Sequence, residues 1–383
     1  MRLSKNGSAA FLATALCCAS LVAPAQTSDS SASSPKQRIE VAFVLDTTGS
    51  MTALIDGAKK KIWSIANTIV DRNPDAEIHF GLVGYRDIGD EYVTKNFPLT
   101  TDIQGIYGEL LLFKADGGGD TPESVNEALD VAVTKLGWTD GGQNRDKTSR
   151  ILFLVGDAPP HMDYKQDRKY PIIIKDAVSR GITVNTVQAG DMPSTTKIWK
   201  EMARLGGGAY HAIPQDGGRI IIIETPYDGQ IQSVQIKLNG TVIPYGSFQR
   251  QRKVEEKMAM PEAAAPSVAA DMSSYVSKTG KGKASITGEG DLVADIESGK
   301  KKVSDIPKDQ LPKPLQSMAP ADLERHVKKQ NAERLRLSAE LKGLVLQRDE
   351  FIRKQQAEET VSPDKKADSF DRSVSSMLEK QIK

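Results

Sequence analysis

VAFVLDTTGSM, residues 41–51, decides the fold, because an apolar run breaks off sharply into Asp46, Thr47, Thr48, Gly49 and Ser50. The apolar part is the end of IEVAFVL (39–45), which lacks the polar alternation of a strand with one wet face and so reads as a strand covered on both sides. At its exit the oxygen-bearing side chains of Asp46, Thr48 and Ser50 stand at alternate positions.

The segments that follow alternate in period. Leu54, Ala58, Ile62, Ile65 and Ile69 form one helical stripe, and the Lys59–Lys61 run falls mostly on the opposite face, which reads as solvated. HFGLVGY (79–85) is a second strand and YVTKNF (92–97) an edge strand. Val125, Ala128, Leu129, Ala132, Val133 and Leu136 mark another amphipathic helix. ILFLV (151–155) and ITVNTV (182–187) are buried strands separated by a helix through Ile172–Ser179, and a helix near Ile198–Leu205 precedes a short strand near Ala209–Ala212. Strands and helices in alternation predict an α/β, doubly wound, mostly parallel sheet with helices on both faces, similar to a Rossmann arrangement.

In such a sheet, ligands bind at the carboxyl ends of the strands. Three segments bring oxygen donors there: DTTGS (46–50), GGGDTPE (117–123) with Thr121, and VGDAPPH (155–161) with Asp157. Each has an ordinary alternative, since Asp46–Ser50 suits a turn, Thr121 before Pro122 and Glu123 suits a helix N-cap, and Asp157 suits a turn before Pro159. Together they offer Asp46, Thr48, Ser50, Thr121 and Asp157, two carboxylates and three hydroxyls with no thiolate or imidazole. That donor set fits Mg²⁺, with Mn²⁺ or Ca²⁺ as alternatives, better than Zn²⁺.

On DTTGSM, GGGDTPE and GDAPPH the chain resembles the von Willebrand factor type A domain over residues 38–215. The resemblance implies a metal ion-dependent adhesion site at Asp46, Thr48, Ser50, Thr121 and Asp157, with Thr48 where many relatives have Ser. It also implies six strands in the order 3-2-1-4-5-6 with one antiparallel edge strand. The function implied is metal-dependent binding of a partner protein whose acidic residue completes the ion's shell. TPYDG, LNGTVIPYG, DLVADIESGK and LQRDEFI are more weakly similar to extensions of other secreted bacterial proteins of this type.

The remaining sequence sets the expected surroundings. Lys and Arg number 51 against 50 Asp and Glu, so no net field points to nucleic acid or an anionic membrane. Residues 1–25 read as an export signal: Arg2 and Lys5, an apolar core, then Ala23-Pro24-Ala25. The chain's two cysteines, Cys17 and Cys18, fall inside it, so a thiol-free, exported, periplasmic or secreted protein is expected. Residues 26–37 form a Ser-rich linker. Residues 216–383 read as a largely helical region, with a strand-or-helix ambiguity at IIIIETPYDG and a low-complexity, poorly ordered stretch near 259–290. Leu337, Leu341, Leu344 and Phe351 form a narrow stripe that needs a second helix, for which SFDRSVSSMLEKQI is the candidate, or self-association through these helices as a coiled coil.

An enzyme is the rival class. The phosphate-binding GxxxxGK[ST] pattern and the GxSxG elbow are both missing, and Thr48 stands where an aspartyl phosphotransferase would carry a second acid. His161 with Asp163, joined by His211 if the sheet brings it close, is the one acid–base candidate, and loop packing or hydrogen bonding behind the metal ligands explains these residues better. A third class is an envelope assembly factor working through its helical tail.

Overall fold

The computed structural model describes residues 37–119, 121–140, 147–218, 221–279, 289–359 and 370–382; the expected export signal with Cys17 and Cys18 lies outside them. β1 (Arg38–Asp46) carries the opening stretch, and every residue after Arg38 is buried. A turn of 3-10 helix at Gly49–Met51 leads into α1 (Thr52–Arg72), and β2 (Glu77–Tyr85) and β3 (Thr94–Thr100) follow. Next come α2 (Ile103–Leu112), which the sequence reading did not pick out, α3 (Val125–Lys135) and β4 (Thr148–Gly156). The series closes with α4 (Tyr170–Ser179), β5 (Ile182–Ala189), α5 (Pro193–Leu205) and β6 (Gly207–Ile213).

The sheet order is β3-β2-β1-β4-β5-β6, with β3 antiparallel to β2 and the other pairs parallel, as the resemblance implied. β1 lies between β2 and β4, so its alternate residues feed two cores. Val41, Phe43 and Leu45 join Ile151 and Phe153 under α1 and α2, while Ala42 and Val44 join Leu152 and Leu154 under α3, α4 and α5. This is why the stretch reads as an unbroken apolar run. The order reverses between β1 and β4, and the exits of these two strands, at Asp46 and Asp157, lie side by side.

The C-terminal region comprises α6 (Asp228–Asn239), α7 (Phe248–Ala263), α8 (Pro266–Lys278), α9 (Leu292–Glu297), α10 (Pro320–Glu359) and α11 (Phe370–Gln381). It is not a separate body, for the described residues belong to one compact unit. Val268, Met272 and Tyr275 of α8, with Phe370, Val374, Met377 and Leu378 of α11, complete the same core as β1 and α1.

Several expectations change here. Much of the stretch expected to be poorly ordered is helix: residues 259–263 lie in α7 and 266–278 in α8, where Ala269, Ala270, Ser273 and Ser274 are buried, while 280–288 lie outside the described residues. Small residues leave little apolar area to find in a composition scan, yet they let helix backbones approach closely. The α10 stripe is covered by α6 and α8, with Leu337, Leu341 and Val345 against Ile231, Val234 and Ala270, and not by α11. Ile221–Glu224 is neither strand nor helix. The Lys59–Lys61 run is only partly solvated, since Lys59 Nζ donates to Phe113 O (2.7 Å) and Lys61 Nζ to Ile221 O (2.6 Å). Among the described residues no helix is long and apolar enough to cross a membrane.

Candidate metal centre

Asp46 ends β1 with no exposed surface. Its Oδ1 accepts from the Thr48 amide (2.9 Å) and the Thr48 hydroxyl (2.7 Å), and that hydroxyl stands 3.3 Å from Ser50 Oγ. The alternate spacing of the motif thus becomes one chain of oxygens leading from the buried strand end to exposed Ser50. Asp46 Oδ2 is buried and has no hydrogen-bond partner. Burial, and then the charge of Asp157, push the Asp46 carboxyl up to about 7 against the pull of the Thr48 hydrogen bonds.

Asp157 leaves β4 half-buried, with Oδ2 accepting from Gln215 Nε2 (2.6 Å) and its carbonyl accepting from the Thr195 hydroxyl (3.0 Å). The second and third motif segments are stapled together by their backbones: Glu123 N donates to Pro159 O and His161 N to Glu123 O, each at 3.0 Å. Helix α3 therefore starts at Val125, after Ser124, and exposed Thr121 is not its N-cap. The strand-like pairing of Glu123 keeps this part of the chain out of the helix.

The glycine run is fixed rather than loose. Gly117 and Gly118 have φ of 78° and 81°, a region in which side chains are strained. Asp90 fills the space beside Gly117 and accepts from Gly118 N at 3.2 and 3.3 Å. Gly49 N donates to Gly117 O (3.2 Å) and Asp116 N to Thr47 O (3.1 Å), joining the first and second motif loops. Buried Arg86 ties them again, Nε to Thr47 O (3.2 Å) and Nη2 to Lys114 O (2.8 Å).

Asp46, Thr48 and Ser50 are thus directly linked, Asp157 lies beside Asp46, and Thr121 stands between Gly118 and Glu123. A β-carbon on Gly118 would lie 3.2 Å from Thr48 Cβ and 3.3 Å from Glu123 Oε1. Glu123 is the residue that sequence reasoning passed over. It is buried, its Oε2 has no hydrogen-bond partner, and burial followed by Asp46, Asp87, Asp90 and Asp157 pushes its carboxyl up to about 9. Burial of Tyr85 itself, and then the charges of Asp46, Glu123 and Asp157, hold its hydroxyl well above the usual range. The one sequence signal for Glu123 is its place two residues after Thr121 in GGGDTPE. Among the described residues, no three His, Cys, Asp or Glu side chains are grouped to hold an ion by themselves.

The histidines fall where packing explains them. His161 stacks on Tyr164 at 3.9 Å and 8°, with Nδ1 2.9 Å from Asp163 and Nε2 3.4 Å from Asp87. His211 pairs in register with Val187 on β6, two strands from β4.

A family model described as von Willebrand factor A domain matches residues 40–224. Over 127 residues, 32% of this chain, the sequence is 28% identical to an ariadne-like RING finger protein of Acanthamoeba polyphaga mimivirus and 27% identical to the alpha-protein kinase vwkA of Dictyostelium discoideum. The match spans 11% and 19% of those relatives' lengths, respectively. Proximal thread matrix protein 1 of the mussel byssus is a structural neighbour at 14% identity, covering 47% of this chain and 43% of its own, with a TM-score of 0.34. The sheet order and the family match agree: the chain is a von Willebrand factor A domain protein, with that domain at residues 40–224.

Proposed function

We propose that this von Willebrand factor A domain binds a partner protein through a divalent cation. Asp46, Thr48, Ser50, Thr121 and Asp157 would hold the ion, Mg²⁺ first and Mn²⁺ or Ca²⁺ as alternatives, and a carboxylate of the partner would complete its shell. What carries this function is Asp46, fully buried with Oδ2 unpartnered and facing a second carboxylate. A buried acid in that setting is costly unless a cation or a proton joins it. The donors beside it are hydroxyls and carboxylates, which suit a hard cation that keeps some of its water. The ion would supply a Lewis-acidic position open to a partner's oxygen. The chain's residues orient it, with Gln215 steadying Asp157 and Arg86 joining the loops.

In this function the protein works outside the cytoplasm and catalyses no reaction. An assembly role through the helical tail has less support, because the α10 stripe is covered by α6 and α8. The test is affinity capture from host envelope extract with Mg²⁺ and with EDTA, using wild-type chain and Asp46→Ala. Capture that needs both the ion and Asp46 supports the function; capture indifferent to both refutes it. Turnover of a phosphate ester that Asp46→Ala abolishes would replace it with an enzyme.

A further inference from the structure

The most unusual side chain near the site is Glu123, which lies outside the set the sequence motif marks. It is 4% exposed and its Oε2 is buried without a hydrogen-bond partner. Its backbone cannot slide away, being held on both sides by Pro159 O and His161 N. Its Oε1 abuts the Gly118 position, on the same side as Thr48. Asp46, Asp87, Asp90 and Asp157 surround it electrostatically, and among the described residues no Lys, Arg or His forms an ion pair with Asp46, Glu123 or Asp157.

Removing water from an acid at such a position is unfavourable without compensation. Asp46 Oδ2 is a second buried oxygen without a hydrogen-bond partner, and Thr48 borders both acids: its hydroxyl donates to Asp46 Oδ1, and its Cβ flanks the Gly118 position together with Glu123 Oε1. Two buried acid oxygens without partners, on either side of Thr48, are what a hydrated cation would satisfy. A direct three-carboxylate chelate does not fit, since no such trio is grouped to hold an ion.

We propose that Glu123 is a positioning carboxylate of the cation site, accepting hydrogen bonds from water carried by the ion rather than binding the ion directly. This rests on the cation assignment of the proposed function and adds to it. Glu123 adds a further carboxylate to those of Asp46 and Asp157, so it holds the divalent ion more firmly and opposes entry of a partner's carboxylate. Residues that orient a bound ion's ligands in this way commonly change its affinity ten- to a hundredfold when altered.

The test uses the full chain as wild type, Glu123→Gln and Asp46→Ala, with Mn²⁺ and Mg²⁺ titrations by calorimetry and melting curves in EDTA. Glu123→Gln keeps the shape and leaves both backbone bonds in place. We expect it to bind Mn²⁺ about tenfold or more weakly, to melt higher than wild type in EDTA, and to gain less from added ion. A side chain that served packing alone would lower the melting temperature in EDTA and leave the ion's affinity unchanged. Equal Mn²⁺ affinity in wild type and Glu123→Gln, or a lower melting temperature of the variant in EDTA, overturns the inference. A wild-type chain that binds neither ion overturns the cation assignment, and this inference with it.

Discussion

Asn185, in the middle of β5, and Gln381, in the last turn of α11, exchange side-chain amide hydrogen bonds at 2.9 and 2.7 Å across 196 residues of sequence. Asn185 has no exposed surface, and its Oδ1 also accepts from Ala209 N at 2.9 Å. A polar side chain is tolerated on that face of the sheet because the C-terminal helix satisfies it. Gln381→Ala leaves the Asn185 amide nitrogen buried without its acceptor, which costs about 1–3 kcal/mol. Urea unfolding should show the midpoint falling with an unchanged slope; an unchanged midpoint would mean that α11 does not dock as described.

Arg348 is a second tie between distant segments. Its Nε meets Asp228 Oδ1 and its Nη2 meets Asp271 Oδ1, both at 2.8 Å, joining α10 to α6 and α8. Removing one partner of a buried pair strands the others, so Arg348→Ala should destabilise the chain by about 3–5 kcal/mol. Because the C-terminal helices share a core with the sheet, the loss should appear in one transition seen by both far-UV circular dichroism and tryptophan fluorescence. Two separated transitions would show the tail unfolding by itself.

Thr121 separates stability from binding. Helix α3 starts only at Val125, and the hydroxyl of Ser124 is bonded to Asp87 Oδ1 (2.7 Å), so no capping bond is lost in Thr121→Ala. Its stability should stay within about 0.5 kcal/mol of wild type, as for an exposed position without special contacts. Cation affinity should drop. A variant that melts early would place Thr121 in the fold rather than at the ion.

The metal-free chain should depend on pH in a definite direction. Asp46 has its folded value raised to about 7 from 3.8, so the folded state holds the proton more tightly than the unfolded state. Its contribution to stability is fully present below about pH 4 and is lost as pH rises through about 7. In EDTA, melting temperature followed from pH 4 to 8 should therefore fall more steeply for wild type than for Asp46→Asn. Added Mg²⁺ should flatten the wild-type curve, because the ion takes the proton's place. Parallel curves for the two proteins would remove Asp46 as the titrating group.

The sequence by itself determined the sheet and the strand exits. The continuous burial of β1 is written in IEVAFVL, the helix stripes repeat with helical period, and Asp46, Thr48, Ser50 and Asp157 stand at strand ends because side-chain order along a strand is a local property. Only the tertiary structure decided which helices cover the sheet. The small residues of α8 carry almost no apolar signal, and the pairing of Asn185 with Gln381 spans the chain, so neither could be read from a window of neighbours. The same holds for Glu123. Its sequence context is that of a helix start, and what makes it a buried, unpartnered acid is the crossing of its backbone with Pro159 and His161, a long-range contact that periodicity does not encode.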